Sequence, residues 1–157
     1  MMTHHPKHKY CAICIRAQIT ADHLIASSVR SMGVTGDRDA VVIGDRATGW
    51  FEGYPLSTND TQGTIQALHR FSGSEELERG WSDNSQELIG AFRELGVTHD
   101  TATPNGLQSN GSAERLVRRV MDGTKTLVLQ AGLPPAFWPH GMSAYCFAQN
   151  IDIVGGN

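Results

Sequence analysis

Apolar residues recur along the chain with the spacings of both strands and helices. Short β-rich runs bounded by polar turns alternate with longer intervals in which apolar residues return every three or four positions. Strands are predicted at residues 20–28, 41–43, 50–54, 80–82 and 97–101. Helices are predicted at residues 59–71, 85–95, 112–131 and 135–150. Because helices are interleaved with the strands and then follow them, the pattern predicts an α/β fold with a mixed sheet.

Polar residues mark where several of these elements begin, turn and end. The run 45–49 predicts the turn of a hairpin between the second and third strands. One of residues 57–59 is expected to cap the first helix, and Gly96 to end the second. Residues 103–111 are rich in Gly, Asn and Pro, which predicts a mobile loop before the third helix.

The first 18 residues are basic and rich in histidine, and we find no periodicity in them. Cys11 and Cys14, separated by two residues, suit one corner of a tetrahedral Zn²⁺ site to which imidazoles supply the remaining ligands. We therefore predict a partial zinc-binding segment at 1–18 and a main domain at 19–157. The predicted Zn²⁺ ligands are Cys11, Cys14, His4 and His8. Cys146 lies on an apolar helix face and is expected to be a core thiol.

The composition is that of a folded protein with an uneven distribution of charge. Hydrophobic residues make up 39% of the chain and charged residues 18%, and the longest apolar runs are too short to cross a bilayer. No charged-then-apolar leader opens the sequence, so we expect an intracellular protein. The net charge of −3 combines a basic start, an acidic middle and a short basic cluster after residue 112. Whether the chain binds a polyanion therefore depends on local patches of charge and not on the net charge.

Three acidic residues stand on elements that a mixed sheet brings together. Asp22 lies within a predicted strand, Asp83 at the end of another, and Glu114 in the first turns of the third helix. Carboxylates converging from separate elements hold hard divalent cations, and two such ions support an in-line phosphoryl displacement. The alternative is that each acid is a solvated surface residue.

The residues around Asp83 and Glu114 resemble the integrase core of retroviruses and LTR retrotransposons. The similarity extends from about residue 20 to 151 and includes the hairpin at 42–56. The motifs that carry it are Ser82-Asp83-Asn84, Glu94-Leu95-Gly96-Val97-Thr98-His99, Thr103-Pro104 and Gln108-x-Asn110-Gly111-x-Ala113-Glu114-Arg115. The resemblance implies an RNase H-like fold and a catalytic triad of Asp, Asp and Glu that holds Mg²⁺ or Mn²⁺.

Carried over to this chain, the triad comprises Asp22, Asp83 and Glu114. The first acid has competitors in Asp37, Asp39 and Asp45. In the family, the first Asp lies on the strand that precedes the matched hairpin, and Asp22 is the acid on that strand here. Asp45 is expected to cap its own turn. The family also places a His-His-Cys-Cys zinc module directly before the core, and residues 1–18 resemble its cysteine-bearing end.

The third helix carries a basic side next to Glu114. Arg118 follows Glu114 by one turn, so both lie on the same face. The predicted DNA contacts are Gln108, Asn110, Arg115, Arg118, Arg119 and Lys125. Contacts of this kind to phosphates give affinity without reading sequence. The alternative is a solvated helix face with an ion pair between Glu114 and Arg118.

The resemblance implies DNA integration by two phosphoryl transfers, 3′-end processing and strand transfer. It also implies a homo-oligomer that forms through the core, DNA ends and target DNA as partners, and a nuclear site of action, with no membrane partner. Two alternatives stay open at this point. One is an inactive RNase H-like remnant that binds nucleic acid or partners, and the other is a structure-selective nuclease on the same fold.

Overall fold

A computed structural model describes residues 12–20, 32–82, 85–101 and 111–155 of the chain, with side chains for 32–82, 85–100 and 111–151. In this part of the chain, five strands and four helices are formed. The strands are β1 (Ala12–Thr20), β2 (Asp39–Asp45), β3 (Phe51–Leu56), β4 (Arg79–Ser82) and β5 (Thr98–Thr101). The helices are α1 (Thr61–Ser72), α2 (Gln86–Leu95), α3 (Gly111–Gln130) and α4 (Trp138–Gly155), with a short 3₁₀ turn at Pro135–Phe137.

The strands form one mixed sheet in the order β3-β2-β1-β4-β5. β2 pairs antiparallel with β1 and with β3, whereas β4 pairs parallel with β1 and with β5. One row of paired residues crosses all five strands: Phe51, Gly44, Cys14, Trp81 and Asp100. The predicted α/β class and the mixed sheet are confirmed.

The central strand lies earlier in the chain than the sequence pattern predicted. A strand was expected at 20–28, but β1 occupies Ala12–Thr20 and residues 21–28 lie outside the described part. The assignment of residues 12–18 to a segment without periodicity was therefore wrong at the level of secondary structure. Ile13, Ile15 and Ile19 alternate with a period of two and are β-branched, which is the pattern of a strand.

Each face of the sheet carries its own apolar core. On one face, Val41, Ile43 and Tyr54 pack with side chains of α1 and α2, among them Leu68 and Phe92. On the other face, the intervening residues pack with side chains of α3 and α4. That second core comprises Ala40, Val42, Phe51, Val120, Trp138, Met142 and Cys146. Burial raises the pKa of the Cys146 thiol to about 12, so Cys146 is a protonated core residue, as predicted.

The helix ends follow from their capping residues. Asp60 caps α1, since its Oδ1 accepts a hydrogen bond from the Gly63 amide at 2.7 Å, one residue after the predicted caps. Hydrogen bonds from Thr58 and from the Gly63 amide lower the pKa of Asp60. α2 ends as predicted at Gly96, which has a left-handed φ of 67°. The last helix begins at Trp138 because Pro135–Phe137 form the 3₁₀ turn.

α4 covers the open edge of the sheet at β3. The buried Asn150 side chain donates to the Phe51 carbonyl at 2.8 Å and accepts from the Phe51 amide at 3.2 Å. It thereby supplies the two hydrogen bonds that a further strand would provide, and losing both would cost about 1–3 kcal/mol. Gly53 allows this close approach, because a Cβ there would lie 2.5 Å from the Met142 sulfur. Among the described residues, no helix is both long enough and apolar enough to span a membrane.

Candidate active site

α3 crosses the sheet above β2 and β1, with α4 beside it on the β3 side. A Cβ on Gly44 would lie 2.6 Å from the Leu116 methyl group, so the first turns of α3 rest directly on the backbone of β2. Farther along, a Cβ on Gly123 would lie 2.1 Å from the Tyr145 ring of α4. Because α4 packs against β3, the flank of α3 that faces away from α4 faces β4.

Glu114 lies on the flank of α3 that faces β4. Counted at 3.6 residues per turn, Arg118 and Lys125 are roughly 40° and 20° around the helix axis from Glu114, whereas Arg119 is roughly 140° away. Arg119 faces α4, where its guanidinium donates to the Gln149 side chain. Glu114 and Arg118 are exposed and Lys125 is half-buried. These three residues, here called the α3 stripe, therefore run along one side of the helix.

Alternation along β4 determines which residues face α3. Gly80 and Ser82 are buried on the α2 side, and a Cβ on Gly80 would lie 2.2 Å from the Phe92 ring. A residue that continued this pleat beyond Ser82 would face α3. Asp83 follows Ser82 directly in the sequence, but Asp83 and Asn84 lie outside the described residues. Their predicted place near Glu114 stays a prediction.

Asp45 caps the β2–β3 turn, as its sequence predicted. Its Oδ1 accepts from the Ala47 amide at 2.9 Å and its Oδ2 from the Thr48 hydroxyl at 2.6 Å. Strand alternation groups Asp45 with Val41 and Ile43, which pack against α1 and α2. Both carboxylate oxygens of Asp45 thus accept hydrogen bonds within its own turn, so the geometry does not favour it as the first acid of the triad.

The structure gives less direct evidence on the other candidates for the first acid, Asp22, Asp37 and Asp39. Asp22 lies outside the described residues, two positions after the end of β1. β1 and β4 pair Cys14 with Trp81, and the same register would place Arg16 beside residue 83, six residues before Asp22. Strand pairing alone therefore does not bring Asp22 to Asp83. Asp37 accepts from Thr35 in the loop before β2, and Asp39 is the first residue of β2.

A divalent cation suits the described part of the predicted donor set. Glu114 presents an exposed carboxylate, and hard cations such as Mg²⁺ prefer carboxylate oxygens. Within residues 32–82, 85–100 and 111–151, no three His, Cys, Asp or Glu side chains lie close enough to form a complete site. A complete site thus requires at least one ligand from outside those ranges.

The predicted basic residues of α3 separate into two groups. Arg115 and Arg118 are exposed on the outer surface of the helix. The Arg119 guanidinium lies 5.1 Å from the centre of the Phe51 ring and also binds Gln149, so it links α3 to β3 and α4. Two further predicted DNA contacts, Gln108 and Asn110, lie outside the described residues.

The predicted zinc ligands fall almost entirely outside the described residues. Cys14 lies within β1, where its backbone pairs with Gly44 on one side and Trp81 on the other. Cys11, His4 and His8 precede the described part of the chain. The zinc site stays a prediction, with Cys14 now assigned to the central strand.

Sequence reasoning missed one polar contact at the end of β4. The Ser82 hydroxyl and His99 Nε2 share a hydrogen bond of 2.7 Å, and the His99 ring stacks on Phe92 with centroids 4.6 Å apart. In the sequence, both residues lie within the motifs that resemble the integrase core. The contact depends on the register of β4 and β5, which the sequence does not reveal.

Curated sequences similar to this chain are transposon polyproteins. It is 29% identical over 133 residues to the retrovirus-related Pol polyprotein from transposon TNT 1-94 of Nicotiana tabacum, an alignment covering 78% of this chain and 10% of that protein. In Arabidopsis thaliana, the Pol polyprotein from transposon RE1 is 29% identical over 45% of the chain and 5% of its own length. The one from transposon RE2 is 25% identical over 76% of the chain and 9% of its own length. The chain therefore spans a tenth or less of these polyproteins.

The fold matches a solved integrase core. The catalytic core domain of BIV integrase superposes with a TM-score of 0.58 at 14% identity, covering 86% of this chain and 80% of that one. No protein-family model matches the chain. The fold is thus that of an integrase catalytic core, an RNase H-like fold. The resemblance that the sequence motifs indicated is confirmed by the polyprotein relatives and by this structure together.

Proposed function

We propose that this chain is the catalytic core of a retrotransposon-type integrase. The similarity to Pol polyproteins and to an integrase core supports an integrase-type function in general. The specific proposal is two phosphoryl transfers. In the first, water attacks a phosphodiester near a DNA 3′ end and releases a 3′-hydroxyl; in the second, that hydroxyl attacks a phosphodiester of target DNA, and the displaced 3′-oxygen leaves. A nuclear site of action follows from this substrate.

One observation carries the proposal: Glu114 stands on the flank of α3 that faces the end of β4, where Asp83 follows in the sequence. Leu116 lies above Gly44, and Gly44 belongs to the same row of the sheet as Trp81. Glu114 precedes Leu116 by two residues and Asp83 follows Trp81 by two. If β4 keeps its pleat beyond Ser82, Asp83 would face the same side of the sheet as Glu114.

Asp22, Asp83 and Glu114 would hold Mg²⁺ or Mn²⁺ in this proposal. The metal supplies an activated attacking oxygen and neutralises charge on the phosphoryl group. The chain's own basic residues would orient the DNA through its phosphates. Residues 1–18 would bind Zn²⁺ through Cys11 and Cys14, a separate proposal for which the cysteine spacing is the support.

A joining assay tests the function itself. The unmutated chain is incubated with a short duplex, a labelled 3′ end and Mg²⁺ or Mn²⁺, and products longer than the substrate are sought. Joined products support the integrase proposal. Cleavage without joining would identify a nuclease, and binding without either product would identify an inactive remnant.

We expect Arg118→Ala and Arg119→Ala to separate DNA binding from folding. Arg118 is exposed on the α3 stripe, so its loss removes one phosphate contact, weakens binding about tenfold and lowers the salt slope by about 0.9. Arg119 is engaged with Phe51 and Gln149, so its loss costs about 1 kcal/mol of stability. Binding at two salt concentrations and thermal unfolding measure the two effects.

The two arginines are adjacent and carry the same charge, so each variant is the control for the other. Equal losses of affinity would mean that the net charge of the helix, and not the α3 stripe, determines binding. Loss of affinity in Arg119→Ala alone would contradict the proposed orientation of DNA.

We further propose that the chain self-associates through α4. Phe147 and Ile151 are one turn apart and about half exposed, at 52% and 51%. From Trp138 to Ile151 the helix has no Asp, Glu, Lys or Arg, so this face suits a second identical apolar face and not a charged partner.

Phe147→Glu should shift the sedimentation of the chain to that of the monomer, whereas Gln66→Glu, at an exposed position of α1, should not. An unchanged oligomer in Phe147→Glu would exclude this face.

A further inference from the structure

An open cavity of about 160 Å³ lies between the β2–β3 turn and the first turn of α3. It is here called the turn cavity, and it has no role in the phosphoryl transfers proposed above. We infer that the turn cavity binds one unpaired pyrimidine nucleotide of a DNA strand, with the base inside and a phosphate at the rim. This inference rests on the proposed function only in taking DNA as the ligand.

The walls of the turn cavity are mostly apolar. Its floor is formed by two buried residues, Gly44 and Phe51, and its sides include Ala113 and Leu116 of α3. The volume is close to the roughly 150 Å³ of an apolar protein cavity that accommodates benzene. One six-membered ring therefore fits, whereas the two fused rings of a purine need more room.

The floor of the cavity is held in place by contacts from two helices. The backbone carbonyl and amide of Phe51 are hydrogen-bonded to the buried Asn150 side chain at 2.8 Å and 3.2 Å. The Arg119 guanidinium of α3 lies 5.1 Å from the centre of the Phe51 ring. The cavity is therefore formed before any ligand enters it, as is usual for ligand sites.

Positive charge lies at the rim of the cavity. Arg46 lines the cavity and is exposed. Arg115 is also exposed, and it lies about 60° around the α3 axis from the lining residue Ser112. Asp45 lines the cavity as well, but both of its carboxylate oxygens accept hydrogen bonds within the turn. An apolar cavity with arginines at its rim suits a planar ring that carries a phosphate, and that is the chemistry of a nucleotide.

The turn cavity and Glu114 lie on opposite sides of the first turn of α3. Ser112 and Glu114 are about 160° apart around the helix axis, and the exposed Arg115 and Arg118 lie on the outer surface between them. Because a helix with its side chains is about 10–12 Å across, a strand bound in the cavity reaches Glu114 within a few nucleotides. A base must leave its stack to enter such a cavity, so the site holds one strand unpaired beside the candidate active site.

The first test blocks the cavity and measures binding of the full chain to short single strands of thymidine or deoxyadenosine and to a fully paired duplex. Ser112→Met places a longer apolar side chain in the cavity, and it should weaken binding of the thymidine strand about tenfold, the effect of losing one stacked base. Ser112→Ala leaves the cavity open and should stay within about threefold. Duplex binding should change in neither variant, because a paired base cannot enter. The unmutated chain should bind the thymidine strand about fivefold more tightly than the deoxyadenosine strand.

The second test removes charge from the rim. Arg46→Gln should weaken binding of the thymidine strand and lower its salt slope by about 0.7, the value for one phosphate of a single strand. Arg38→Gln is the matched control, since Arg38 is exposed and lies beyond the other end of β2. It makes the same change of net charge and should leave the salt slope unchanged. Thermal unfolding of every variant is recorded beside the affinity.

The outcomes distinguish this inference from the proposed function. Weaker binding in Ser112→Met and Arg46→Gln, with both controls unchanged, supports the turn cavity as a nucleotide site even if the chain joins no strands. If the unmutated chain joins strands and these two variants bind the thymidine strand as it does, only the nucleotide site is overturned. Equal affinity for the two single strands overturns the pyrimidine assignment. If Ser112→Met does not fold, Arg46→Gln and the comparison of the two single strands decide the result. A chain that neither joins strands nor binds DNA overturns both proposals.

Discussion

Asp83→Asn should abolish strand joining with either Mg²⁺ or Mn²⁺ while leaving the fold and DNA binding nearly unchanged. Asn keeps the shape of the side chain but removes the charge that a hard cation requires. We expect at least about a thousandfold loss of rate, equivalent to roughly 4 kcal/mol of transition-state stabilisation. Removing a carboxylate near DNA phosphates does not weaken the complex, because it removes a like charge.

Asp100→Asn is the matched control. Asp100 lies on the neighbouring strand in the same row as Trp81, is partly exposed, and makes a long ion pair with Arg79. The same change of charge one strand away should leave joining within about twofold, since exposed ion pairs contribute about 0–1 kcal/mol. Equal losses in the two variants, or full activity in Asp83→Asn, would contradict the assignment of Asp83. The products are measured on one labelled duplex, with binding and unfolding recorded in parallel.

The elements with strong periodicity could be predicted from the sequence. The hairpin, α2, α3 and β5 formed within a few residues of their predicted bounds, because their apolar residues repeat with one clear period. β1 was predicted too late in the chain because two patterns overlap there: Cys11 and Cys14 have metal-ligand spacing, and the β-branched Ile13, Ile15 and Ile19 favour a strand. The α1 cap was missed by one residue since all of residues 57–60 are capping types.

The arrangement of the candidate site depended on packing that a linear sequence does not contain. Helical spacing groups Arg118 with Glu114, and that part of the basic face could be predicted. Whether Arg119 contacts α4 or DNA depends on where α4 lies. The position of α4 depends on contacts at Gly53, Gly123 and Asn150, which are far apart in the chain. The bond between Ser82 and His99 likewise requires the β4–β5 register. Sequence spacing thus identified candidate residues, and tertiary packing determined what they contact.

The first acid of the triad can be assigned by comparing Asp22→Asn with Asp45→Asn. We expect Asp22→Asn to lose joining activity about a thousandfold, as for Asp83, because it would remove a metal ligand. Asp45→Asn should remain active. Its carboxylate accepts hydrogen bonds from Ala47 and Thr48 within the β2–β3 turn.

Thermal stability is a second measurement on the same two variants, and here we expect the loss in Asp45→Asn. Asn at position 45 keeps a side-chain oxygen that can accept from the Ala47 amide. It replaces the second oxygen, which accepts from the Thr48 hydroxyl, with an amide NH₂ group, so about 1 kcal/mol of stability should be lost. Thermal unfolding of Asp22→Asn is recorded in the same experiment. Mn²⁺ affinity is the independent measurement: it should fall in Asp22→Asn and persist in Asp45→Asn. The reverse result would move the first metal ligand to Asp45, and would require the β2–β3 turn to open when metal binds.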